Sequence, residues 1–366
     1  MNAEMNAASP FAGVLSGDLP RSRVLTAILV AIVACLALAP FVFPGTRSLD
    51  VAAKVCVFIL LVASYDLLLG YTGIVSFAHT MFFGIGGYGV ALAMTRLDAT
   101  WASIAIGTVC ALACSLLLSF LVGLLSLRVK AIFFAMITLA VASFFAILAS
   151  QLSDITGGED GITFKVPEML RPAFRLFDDP LAGVVIGGRV LTYYFVFVCT
   201  ALLFLMLLRV VNSPFGRVLL AIRENDFRAE ALGYRTVIYR TLANCLGAAV
   251  ATMAGVLYAL WLRYTGPNTT LSFDIMVDIL LMVVIGGMGT MYGSVIGATL
   301  FVIAQNYLQD AMKAISEASK GLPLLPDLFH PDRWLLWLGV LFVLSVYYFP
   351  AGIVGKLRMM ALARKP

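Results

Sequence analysis

Residues 279–309 run without a single Asp, Glu, Lys, Arg or His. About 20 apolar residues suffice to cross a bilayer as a helix, so this run is too long for one span. It contains Gly286-Gly287-Met288-Gly289 and Gly293. The pattern predicts two helices meeting at that glycine cluster, the first beginning near Phe273. Shorter apolar runs recur at 24–44, 101–127, 131–153, 190–208, 241–262 and 334–355. Segments 51–70 and 74–95 add two more with few ionisable interruptions. A chain of 366 residues that is 61% hydrophobic and 12% charged could not hide this much apolar surface in a water-soluble core. The fold class expected is an all-α polytopic membrane protein of about ten transmembrane helices. A polar N-terminal segment (1–23) precedes the transmembrane domain (24–355), and a basic tail (356–366) follows it. The first apolar run exceeds the apolar region of a secretory signal, so a retained span is expected.

Basic residues orient such a chain with the positive side inside. With the N-terminus inside, Arg21, Arg23, Arg128, Lys130, the segment 212–240 and the tail with Arg364 and Lys365 share the inner side. The outer side then carries two loops, 154–189 and 313–333, marked as turns by Gly157-Gly158 and by Pro323, Pro326 and Pro331. The six cysteines fall within apolar runs and form no Cys-x-x-Cys pair, as small packing residues would.

Between two apolar runs lies a polar island, 212–233. Ser213 suits an N-cap and Pro214 the first helical position. Phe215, Val218, Leu219 and Ile222 then recur at helical spacing as one apolar stripe, with Arg217 and Arg223 off it. Gly233 suits the position after a second helix. A short helix, a turn and a second short helix are expected, and an amphipathic helix of this kind is shaped to dock on a soluble partner.

Catalytic sets are missing. There is no phosphate-binding Gly-x-x-x-x-Gly-Lys-Ser/Thr loop and no His-Glu-x-x-His, and only two histidines exist. Ionisable residues inside spans are few: Asp66, His79, and Asp274 and Asp278 toward the outer end of the eighth span. That scarcity argues against a carrier driven by its own ion gradient. The stretch Gly70 to His79 gathers Tyr71, Thr72, Gly73, Ser76 and His79, a composition that can unwind and offer backbone groups to a polar solute. With Gly86, Gly286, Gly287 and Gly289 these form a candidate substrate pathway. Close packing of helices is the competing reading of the glycines.

Three motifs carry a resemblance. Gly70-Tyr71-Thr72-Gly73 with Ser76-Phe77-Ala78-His79 and Phe82 to Tyr88 is the first. Ser213 to Arg217 with Ala221-Ile222-Arg223-Glu224-Asn225 and Ala231-Leu232-Gly233 is the second. Phe273-Asp274-Ile275 with Gly286-Gly287-Met288-Gly289-Thr290 and Gly293 is the third. In this order they resemble the permease family of branched-chain amino acid ABC importers, specifically its longer permease type, from about Val51 to Gly355. The resemblance implies a second permease subunit, two cytoplasmic ATP-binding subunits and a periplasmic substrate-binding protein as partners. It implies residence in a bacterial inner membrane with both termini cytoplasmic. ATP would be bound by the partners, and no cofactor by this chain. The island becomes the coupling region, with Pro214, Phe215, Gly216, Arg217, Leu219, Ala221, Ile222, Arg223, Glu224, Asn225, Ala231 and Gly233 as its contact set. Urea and short amides are alternative substrates within the same family. A self-contained channel or ion-coupled carrier for a small polar solute is the reading from another class.

Overall fold

Three breaks between closely packed helices set the architecture of this computed structural model. It describes residues 23–42, 45–125, 131–175, 186–318, 330–349 and 351–363. Arg21, Arg128, Lys130, Pro323, Pro326, Arg364 and Lys365 lie outside the described residues, as does nearly all of the segment 1–23.

The helices are α1 (Arg23–Ala37), α2 (Ala39–Val42), α3 (Thr46–Thr72), α4 (His79–Arg96), α5 (Trp101–Leu125), α6 (Ala131–Gln151) and α7 (Ser153–Thr156). After them come α8 (Gly188–Val211), α9 (Pro214–Glu224), α10 (Asp226–Ala231), α11 (Thr236–Leu262) and α12 (Pro267–Thr270). The last are α13 (Phe273–Gly286), α14 (Met291–Ala318), α15 (Trp334–Tyr348) and α16 (Gly352–Ala363). Two short strands, β1 (Ile162–Thr163) and β2 (Tyr264–Thr265), pair antiparallel with Ile162 opposite Thr265. They tie the loop after α6 to the turn after α11.

Among the described residues, seven helices are long and apolar enough to cross a membrane. They are α3, α5, α6, α8, α11, the stretch Pro267–Gly286 and the stretch Pro331–Met360. Seven, not ten, is therefore the number that length and composition establish. The three remaining sequence spans correspond to α1, α4 and α14. Helix α1 has only 15 residues. Helix α4 has His79 and Arg96 at its ends and four glycines between, and α14 carries Gln305, Asn306 and a charged last turn.

Helix α3 is the axis of the fold. It is buried along most of its length and packs against α8, α11, α13 and α14. Helix α4 lies between α5 and α11. A Cβ on Gly255 would come within 1.9 Å of the Phe83 carbonyl, and one on Gly86 within 2.0 Å of the Thr252 carbonyl. Each helix thus uses a glycine where the other's backbone passes, the close approach that small residues permit in lipid. Helices α5, α6, α8 and α15 instead turn large apolar side chains outward, among them Leu117, Ile132, Leu202 and Leu335. Contiguous apolar surface of this kind suits hydrocarbon and not water.

At the β1–β2 end, ion pairs clamp neighbouring elements: Arg47 with Asp310 at 2.6 Å and Arg189 with Asp50 at 2.7 Å. Arg263 sits beside them, where burial and then the Arg189 charge lower its pKa while Asp50 opposes the shift.

The breaks are residues 73–78, 263–272, which hold β2 and the single turn α12, and 287–290. Span 74–95 therefore begins later than expected, at His79. The cause is Gly73, which closes α3 in a left-handed conformation (φ 72°) with its N–H on the Leu68 carbonyl.

Candidate functional site

Helices α9 and α10 form the short helix–turn–helix expected at 214–233, but their details differ from the sequence reading. Ser213 makes no cap with its side chain; its hydroxyl donates back to the Val210 carbonyl at 2.6 Å. Pro214 occupies the first turn, where its missing N–H is harmless. Gly216 takes the tight corner out of α8, since a Cβ there would lie 1.9 Å from the Val211 carbonyl. The cap that forms belongs to Asn225, whose side chain accepts from the Arg228 N–H at 2.9 Å and starts α10. Gly233 follows the end of α10 with φ 90°, its N–H on the Glu230 carbonyl.

The apolar stripe faces the opposite way from the docking expectation. Leu219 and Ile222 are 0% and 1% exposed and pack into this chain, and Phe215 stacks on Tyr239 at 5.7 Å. Helical periodicity reveals an apolar face but not whether its neighbour is a partner or the chain's own core. The outward face carries Arg217, Ala221, Glu224 and Ala231, with two large apolar side chains that the expected contact set did not include. These are Phe227, 86% exposed, and Leu232, 72% exposed. The pair is held on α11 by Arg240 to Asp226 at 2.9 Å and Thr236 to Glu230 at 2.8 Å.

From α9 one exposed side chain, Arg223, reaches across to the end of α3. The Arg223 guanidinium donates to the Gly70 carbonyl near the end of α3. A Cβ on Gly289 would lie 2.8 Å from the same guanidinium, and one on Gly73 3.3 Å from the Arg223 Cγ. The Gly289 N–H in turn donates to the Asp66 carboxylate at 2.9 Å. Gly287 (φ 117°) and Gly289 (φ 78°) turn the chain between α13 and α14 so that this N–H points at α3. Arg223, Gly70, Asp66 and Gly289 thus join three elements that the sequence holds far apart.

The candidate pathway residues divide. Tyr71, Thr72, Ser76 and His79 are buried, and Gly73 is exposed. The Thr72 hydroxyl bonds its own helix at Leu68, 2.7 Å, and Ser76 accepts from the Ala78 N–H at 3.3 Å. His79 lies edge-on to Tyr65 at 5.0 Å and near Phe82, without a well-formed hydrogen bond at either ring nitrogen. Gly86 and Gly286 are close-approach positions, the latter against Gly293. Asp278 accepts from Gln305 at 3.2 Å, and Gln305 also accepts from Lys54 at 2.8 Å. Ser272 caps the start of α13, its hydroxyl accepting from the Asp274 N–H at 3.1 Å.

A cavity of about 400 Å³ does open beside this set, lined by their neighbours Phe77 and Thr80 and by α6 and the 267–273 segment. None of the nine pathway residues lines it.

Comparison with known proteins bears on this arrangement. A family profile described as the permease component of branched-chain amino acid transport systems matches residues 47–346. The chain belongs to that permease family. Its relatives include a probable branched-chain amino acid transport permease protein LivM of Methanocaldococcus jannaschii, 29% identical over 78% of this chain and 81% of the relative. The high-affinity branched-chain amino acid permease protein LivM of Escherichia coli is 27% identical over 85% of this chain and 74% of the relative. BraD of Pseudomonas aeruginosa, likewise a branched-chain amino acid permease protein, is 26% identical over 74% and 89%. No solved structure matches the chain. Family membership and the apolar helices make this a multi-pass membrane protein and a transport permease of the LivM type.

Proposed function

We propose that this permease is one membrane subunit of an ATP-driven importer and moves branched-chain or related amino acids across a bacterial inner membrane by alternating access. It would pair with a second permease subunit, two cytoplasmic ATP-binding subunits and a periplasmic binding protein. The chain itself needs no cofactor, because ATP stays on the partners. Ten crossings with both termini inside accommodate α1, α4 and α14 as membrane helices and put α9 and α10 in the cytoplasm.

The observation that carries the reading is the Arg223–Gly70 contact. A partner that pushes on α9 and α10 moves Arg223, and Arg223 bears on the end of α3 and on the α13–α14 turn together. Motion would then pass from an ATP-binding subunit to two of the three breaks, 73–78 and 287–290. The intramembrane carboxylates fit a driven permease better than an ion-coupled carrier. Asp66 is tied to Gly289 and Asp278 to Gln305, so both already serve packing.

Purification of the tagged chain from its membrane in mild detergent, with mass spectrometry of bound proteins, tests this. Recovery of a second permease and ATP-binding subunits is expected. A monodisperse chain that travels alone would contradict it.

A further inference from the structure

Of four cavities between about 300 and 440 Å³, three are lined almost wholly by aliphatic and aromatic side chains, as grooves filled by lipid tails would be. The fourth differs. It holds about 400 Å³, within the range of small-molecule sites, and is lined by Thr80, Ser143, Gln151, Glu159, Asn268 and Ser272 alongside apolar walls.

Its shape follows from one helix face. Leu139, Ala142, Ser143, Ala146, Ile147, Ser150 and Gln151 all line it, at spacings of three and four along α6. From Leu139 to Gln151 that stripe is about 18 Å long at 1.5 Å per residue. The two ends differ in chemistry. At the Leu139 end, the Phe77 N–H bonds the Thr138 hydroxyl at 3.0 Å, and Phe77 faces Phe273 with ring centres 6.1 Å apart. At the Gln151 end stands Glu159, whose turn packs against α6. The opposite wall comes from two of the three breaks, Phe77 on 73–78, and Asn268 on the single turn α12 with Ser272 after it on 263–272. The second break runs deep: Leu271 packs on Gly84, within α4. Non-helical backbone at such depth persists only where protein covers it or water reaches it, and broken helices are where transported solutes are held.

We infer that this cavity is the stretch of the passage that touches substrate, and that it takes an α-amino acid with an aliphatic side chain, ammonium toward Glu159 and Gln151, side chain toward Phe77, Phe273 and Leu139. The inference rests on the importer reading for the identity of the solute, but not for the water access of the cavity. The cavity is longer than one such molecule, so it is a path with a polar mouth and an apolar end.

The test uses the assembled importer in proteoliposomes with radiolabelled leucine. Ser143→Cys and Asn268→Cys are exposed to a charged methanethiosulfonate reagent, read above the background of the native cysteines, with Leu117→Cys on the outward face of α5 as control. Labelling at least tenfold faster than the control, and slowed by leucine-loaded binding protein with ATP, is expected. Ala146→Trp, which fills the cavity, should lower leucine uptake at least tenfold while the complex still assembles. Labelling as slow as at Leu117→Cys, or full uptake by Ala146→Trp, would overturn the inference and leave the importer reading standing. Fast labelling with no ATP-driven leucine uptake by the unaltered complex would overturn the assigned substrate and the importer reading together.

Discussion

The Arg223 side chain on a short surface helix donates to the Gly70 carbonyl 153 positions earlier, inside the helical body. Asp66, one turn before Gly70, holds the Gly289 N–H at 2.9 Å, and Gly289 abuts the same guanidinium. One cation therefore sits where α3, α9 and the α13–α14 turn converge.

Removing that cation should uncouple the parts without dissolving the fold. Arg223→Ala leaves Leu219 and Ile222 in place, so the chain should still reach the membrane and assemble. Leucine uptake per ATP hydrolysed should fall at least tenfold. Arg223→Glu should be worse, because it brings a second carboxylate toward Asp66. Substrate-stimulated ATPase activity unchanged in reconstituted Arg223→Glu complex would refute the role.

Asp66 separates structural from ion-coupling roles. Asp66→Asn keeps an acceptor for the Gly289 N–H, so uptake should still follow ATP and ignore an imposed proton gradient. Asp66→Ala leaves that N–H without its partner, a loss of about 1–3 kcal/mol. A lowered unfolding temperature in detergent for the alanine variant, with little change for the asparagine one, is the expected pair. Gradient-driven uptake abolished by Asp66→Asn would favour a carrier instead.

The two faces of α9 and α10 should respond differently. Phe227 and Leu232 are exposed apolar side chains, and losing an apolar anchor at an interface centre costs about 2 kcal/mol. Phe227→Ala should weaken capture of purified ATP-binding subunits by about 30-fold, with no effect on the chain's own stability. Leu219→Ala should do the reverse, because Leu219 is core. Equal capture by the Phe227→Ala chain would move the docking surface elsewhere.

Packing between α4 and α11 is tight enough to fail on one methyl group. Gly255→Ala puts a Cβ where the Phe83 carbonyl lies, and overpacking of this kind costs about 1–3 kcal/mol. Lower yield and a lower unfolding temperature are expected, whereas Gly339→Ala, with open space around it, should match the unaltered chain.

Much of this was readable beforehand because lipid leaves few options. Uncharged runs marked the long helices, and Gly286 to Gly289 marked the turn between α13 and α14, since no other residues adopt those backbone angles cheaply. Pro214 and Gly233 bounded the surface helices for the same local reason. What could not be read was which way faces turn. The stripe through Leu219 and Ile222 is equally suited to a partner or to the chain's own core, and only the packing of α9 on α3, α8 and α11 decides it. Length and composition establish seven of the ten expected spans among the described residues, because α1 is short and α4 and α14 are diluted by glycine and amides. The mixed cavity escaped notice because its lining comes from three distant segments, although Ser143, Ala146 and Ser150 on one face of α6 were a visible hint.

The most direct measurement is leucine uptake into proteoliposomes that contain this permease with its partner permease, the ATP-binding subunits and binding protein. Uptake against a gradient that requires hydrolysable ATP, and that falls at least tenfold with Arg223→Ala, is the expected result. Uptake that proceeds without ATP, or that is indifferent to Arg223→Ala, would contradict a permease driven through α9.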